Sequence, residues 1–93
     1  MTIAFTQHVR PNGIKRICNI HIGEDVKDKA KRIIDAGFIL ECEVLKTDEV
    51  SFTIADGEKD IAIEICSNGP DVLMAIRKLI IGFQLAGDDD ASH

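Results

Sequence analysis

The chain has no tryptophan, no tyrosine and only four phenylalanines among 93 residues. Since 45% of its residues are hydrophobic, any core must be aliphatic. It also lacks an apolar run long enough to cross a bilayer as a helix, because the longest such stretch is broken by Arg77-Lys78. The N-terminal MTIAFTQHVR has no charged-then-apolar pattern, which argues against a signal peptide and predicts a cytoplasmic protein without membrane contact. The three cysteines, Cys18, Cys42 and Cys66, contain no CxxC pair, and three free thiols are expected. A basic excess is missing as well. The net charge is −5, with three negative charges at Asp88, Asp89 and Asp90, so the body is close to neutral. That does not supply the field a nucleic-acid binder needs, and nucleic acid is not an expected partner.

What is present is periodicity. Apolar and polar residues alternate through Ile3, Phe5, Gln7 and Val9 and again through Cys18, Ile20 and Ile22, on either side of the turn-forming RPNG. This predicts a hairpin with Phe5 opposite Ile20 and Gln7 opposite Cys18. GEDVKDKAKRIIDAG reads as an amphipathic helix with Val26, Ala30, Ile33 and Ile34 inward and Gly37 as its left-handed cap. Three further strands follow. Phe38, Leu40, Cys42 and Val44 form the first inward set, Val50, Phe52 and Ile54 the second, and Ile61, Ile63 and Ile65 the third. Keeping all three sets on one face puts Phe52 between Cys42 and Ile63, with a type II′ turn at Gly57-Glu58. A last helix is expected from about Pro70 to Leu85, with Val72, Ile76, Leu79, Ile80 and Phe83 inward.

The predicted fold is α+β, in the order β-β-α-β-β-β-α. It is a single, mostly antiparallel five-stranded sheet with two helices packed on one face. Residues 1–87 form one domain, and 88–93 form a disordered acidic tail. Sheet order is not fixed by these patterns, and the link from the second strand through the first helix to the third is read as a possible parallel crossover.

FTQHVRPNG, ECEVLKTDEVSFTIAD and IAIEICSNGPDVLMAIRKLI together resemble a family of small uncharacterised proteins from bacteriophages, prophages and environmental sequences. The resemblance spans residues 3–83. It implies an accessory protein of the bacterial cytoplasm acting on a host protein, and it brings no activity and no residue roles.

Several residue groups are candidates for chemistry. Cys66, Ser67, Asn68 and Gly69 lie between a strand and a helix N-terminus, where a thiol pKa can fall and an anion can bind. A catalytic cysteine needs a base, and nothing in the sequence brings His8 or His21 to Cys66. The plainer reading is a strand-to-helix corner with Asn68 and Gly69 making the turn. Metal ligation by His8 and His21 with Glu41, Glu43 or Glu64 fails on distance, since the histidines lie about four residues apart, on the order of 13 Å. Glu43, Ser51 and Glu64 are expected in one row on the open sheet face, as a solvated acidic surface. No metal and no cofactor are expected.

The remaining signal is a second apolar stripe on the last helix: Met74, Ile81 and Leu85, roughly 180° from the core stripe. Ile17, Ile39 and Leu45 are expected on the open face of the sheet. Together these predict a small non-enzymatic interaction protein, a homodimer through Met74, Ile81 and Leu85, acting on a protein partner. The alternatives are a small enzyme or ligand-binding domain centred on Cys66 and a nucleic-acid-binding accessory.

Overall fold

The computed structural model of the chain describes residues 2–9 and 12–85. Arg10, Pro11 and the expected tail at 88–93 lie outside the described residues. The elements are β1 (Thr2–Val9), β2 (Ile14–His21), α1 (Glu24–Asp35), β3 (Ile39–Lys46), β4 (Glu49–Asp56), β5 (Lys59–Ser67) and α2 (Val72–Gly82). They build a five-stranded sheet in the order β2-β1-β3-β4-β5, antiparallel except for the parallel pair β1–β3. The link through α1 therefore steps over β1. β3 lies beside β1, not beside β2, so β2 and β3 form no parallel crossover pair.

Both helices pack on one face of the sheet. Val26, Ala30 and Ile33 of α1 and Ala75, Ile76, Leu79 and Ile80 of α2 join Ile3, Phe5, Leu40, Phe52 and Ile54 in one buried cluster. Phe5 and Phe52 meet edge to face, with ring centroids 5.8 Å apart. Ile34, expected in the α1 stripe, is exposed. α1 ends as its sequence foretells. Gly37 takes φ +100°, its N–H bonds the carbonyl of Ile34, and the Phe38 N–H bonds that of Ile33. This is the paired arrangement that satisfies the last carbonyls of a helix. α2 is shorter than expected. Pro70 stays in the turn before it, and the chain turns extended at Phe83, so Leu85 lies beyond the helix.

The two hairpins differ from their expected registers in different ways. In β1–β2 the pairing sits two residues away: Phe5 faces Cys18 and Gln7 faces Arg16. The innermost pair is Val9 with Ile14, and Gly13 takes φ +70° just before β2. Since side chains alternate with period two, a two-residue slip leaves every face unchanged.

In β4–β5 the turn is as expected, with Gly57 at φ +63° between paired Asp56 and Lys59. A bulge then intervenes: Ala55 faces Asp60, while Ile54 faces Ala62, leaving Ile61 as the extra residue. This single insertion turns β5 over. Phe52 lies between Cys42 and Glu64, not Ile63. Ala62, Glu64 and Cys66 take the helix side, and Ile61, Ile63 and Ile65 are all exposed instead of buried. The physical reason lies in α2, which packs on this strand. Small residues such as Ala62 and Cys66 let a helix approach closely, where three isoleucines would hold it away.

Candidate functional site

The face of the sheet away from the helices is organised by the strand registers. One row runs Ile17, Thr6, Glu41, Thr53, Ile63. The next runs Lys15, His8, Glu43, Ser51, Ile65. Glu64 is absent from the second row because the β5 bulge moved it to the other face, and Ile65 stands in its place. No helix covers this side, yet Ser51, Thr53 and Ala55 are only 5%, 7% and 0% exposed. Ser51 and Thr53 form the floor of a hollow of about 450 Å³ whose walls include His8, Lys15, Glu41, Leu45, Glu58, Ile63 and Ile65.

Within the hollow His8 Nε2 lies 2.9 Å from Glu41 Oε2, and both side chains are part-buried. The parallel β1–β3 pairing creates this contact, and nothing local in the sequence announces it, since the two residues are 33 apart. A carboxylate holding an imidazole is half of a nucleophilic triad. The other half is out of reach, because Ser51 is two strands from His8, about 10 Å at ordinary strand spacing. Arg16 Nε donates to Gln7 Oε1 at 2.7 Å on the opposite face of the same hairpin.

Leu45, Ile63 and Ile65 wall the hollow with exposed apolar side chains. Ile17, Ile63 and Ile65 are 67%, 54% and 53% exposed, and Ile39 is exposed on the same face. The alternation of the first four strands marks Ile17, Ile39 and Leu45 as outward. Ile63 and Ile65 were missed. The signal that could have found them is the pair Ala62 and Cys66, small residues suited to lie under a helix.

Cys66, Ser67, Asn68 and Gly69 form a corner held by backbone. The Asn68 N–H bonds the Asp48 carbonyl at 2.6 Å, and the Val72 N–H bonds that of Gly69 at 3.1 Å. Gly69 takes φ +141°, which a side chain would oppose. Ser67 is paired in β5 with Glu49. With Ile61, Ile63 and Ile65 read as inward, alternation would turn Cys66 away from the core, and it does not face that way. It lies on the helix side and packs against the buried cluster. Burial pushes its thiol pKa up, and the carboxylates of Asp71 and Glu64 push the same way. The nearby helix start therefore does not make it a thiolate at neutral pH. All three cysteines are free, and burial raises Cys42 to about 11.

His8 and His21 stand opposite Lys15 and Thr2, at opposite ends of the hairpin. Among the described residues no three His, Cys, Asp or Glu side chains converge as metal ligands, and no helix is long and apolar enough to cross a membrane.

On α2, Met74 and Ile81 are exposed as expected, but Leu85 is not part of their stripe. It packs partly buried against the core, in a hollow shared with Arg32, Ala36 and Phe38. Lys29 of α1 reaches the Ile81 carbonyl at 3.2 Å, and Arg77 pairs with Asp25 at 2.8 Å, so polar contacts lace the outer seam of the helices.

No family model, curated protein or solved structure matches the chain.

Proposed function

We propose that this chain is a small non-enzymatic interaction protein that holds a protein partner on the open face of its sheet and works as a homodimer. The observation that carries the reading is a polar hollow walled by Leu45, Ile63 and Ile65 on the one sheet face that no helix covers, with Ile17 and Ile39 exposed on the same face. Exposed apolar side chains gathered on one face beside fixed polar groups supply the area a partner would bury. The helix stripe is the weaker candidate, since it reduces to Met74 and Ile81 once Leu85 turns into the core. The accessory role in a bacterial cytoplasm rests on the resemblance of the three quoted segments alone.

The test is affinity capture from bacterial lysate with the wild-type chain and with Ile17→Asp and Leu45→Asp, each checked by circular dichroism for an unchanged fold. Both positions are exposed, so the variants are expected to fold. One or more proteins retained by wild type and lost from both variants supports the reading. An identical set from all three chains, or none from any, overturns it.

A further inference from the structure

The two edges of the sheet, β2 and β5, are protected differently. β2 carries Lys15 and Arg16. Charged side chains of this kind discourage the addition of another strand. β5 has no proline, its bulge lies near its start, and from Ala62 to Ser67 it is regular with Glu64 as its single charge. Ile63 and Ile65 stand exposed along that regular stretch. A free edge with an apolar row is a template for a further strand.

We infer that β5 pairs antiparallel with β5 of a second copy, across a two-fold axis at Ile63, to make one continuous sheet. Charge selects the register. Centring the pair on Glu64 would set two carboxylates directly opposite each other, which is destabilising. Centring it on Ile65 would leave Ile63 against Ser67. Centring it on Ile63 matches that isoleucine with its own counterpart and places Glu64 opposite Ala62, with Ile65 reaching the bulge residue Ile61 of the other copy. Lys78 lines the cleft between β5 and α2 together with Ala62 and Glu64. Glu64 of each copy is thereby brought to the cleft that holds Lys78 of the other. A two-fold pairing uses one patch twice and closes, whereas β5 against β2 would propagate without end and set isoleucines against Lys15 and Arg16.

The inference deepens the homodimer part of the interaction reading, and the partner part fails separately from it, because partner capture is tested at Ile17 and Leu45 and self-pairing at β5. The experiment is sedimentation equilibrium of the full chain from about 1 μM to 1 mM, a span that covers weak and tight dimers. Wild type is expected at twice the 10.2 kDa chain mass. Ile63→Lys sets two ammonium groups together at the axis and should weaken the dimer about 100-fold or more. Ile17→Lys should leave it unchanged. Ile63→Cys should give a disulfide-linked dimer on mild oxidation, because directly opposed Cα atoms lie about 4.5–5.5 Å apart. Ile65→Cys should not, because its opposite is Ile61. A wild type that stays monomeric, a dimer indifferent to Ile63→Lys, or cross-linking through Ile65→Cys and not Ile63→Cys overturns the inference. If Ile63→Lys does not fold, the two cysteine variants decide.

Discussion

On the helix side of the sheet Phe5 and Phe52 are 0% and 2% exposed, while on the other side Ile17 and Ile63 are 67% and 54% exposed. The residues are similarly apolar and belong to the same strands or their neighbours. What separates them is the helix layer. α1 and α2 seal one face into a dry cluster, while the other keeps hydroxyls and carboxylates at its centre and leaves its aliphatic side chains at the rim. Composition alone therefore does not tell a core isoleucine from a surface one in this chain. The difference should be measurable as a difference in what each face is worth to the folded state.

The largest effect is expected at Phe52. Its ring contacts Phe5 and lies in the centre of the helix-covered cluster. Phe52→Ala should cost about 3–5 kcal/mol, as lost burial plus a residual cavity. Ile63→Ala, on the other face of the sheet, should cost less than about 1 kcal/mol, measured on dilute protein by urea unfolding. Equal losses at the two sites would erase the distinction between the faces.

Much of this contrast was legible in the sequence, and the part that was not has a definite cause. Period-two alternation located all five strands and placed Phe5, Leu40, Cys42, Phe52 and Ile54 inward. The two helices followed from their apolar stripes and from Gly37. The β1–β2 register could miss by two residues without moving any side chain to the wrong face. The β4–β5 register could not miss by one, and a bulge at Ala55 and Ile61 is a one-residue change. No residue there demands a bulge in the way Gly57 demands its turn. It is imposed from a distance, by a helix that needs Ala62 and Cys66 beneath it. The consequence reached the site, since Ile63, Ile65, Glu64 and Cys66 all changed sides. The His8–Glu41 contact was hidden for a related reason, because alternation says nothing about which strands become neighbours.

A smaller effect is expected from Cys42, which lies on the sealed face. Its folded-state pKa of about 11 exceeds the ordinary value of 9.0 because burial disfavours the thiolate. The folded protein therefore holds this proton more tightly than the unfolded chain. The stability associated with the buried neutral thiol is fully present below pH 9 and is lost as the pH rises through about 11. The loss should be on the order of 2 kcal/mol. Other groups also titrate in this range, so the comparison is with Cys42→Val. That variant should show a shallower decline of unfolding free energy between those pH values. Parallel curves would mean that Cys42 is not in a dry environment, and that the helix-covered face is more open than its burial indicates.

The smallest effect is expected at the outer seam of the helix layer, where Arg77 of α2 meets Asp25 of α1 at 2.8 Å. If burial against the sheet is what holds the helices in place, this pair should add little. Its side chains are 43% and 52% exposed, so water competes for both charges and salt screens them. A double-mutant cycle with Asp25→Ala and Arg77→Ala should therefore give a coupling of about 0.2–1 kcal/mol at low ionic strength, falling toward zero in about 1 M salt. The cycle is needed because Arg77→Ala alone removes the arginine's aliphatic stem as well as its charge. A coupling well above about 1 kcal/mol, or one unmoved by salt, would show that the helix layer depends on a fixed ionic contact between α1 and α2. The sealed face would then owe its dryness to the seam above it as well as to the packing of Phe5, Phe52 and Ile76 beneath.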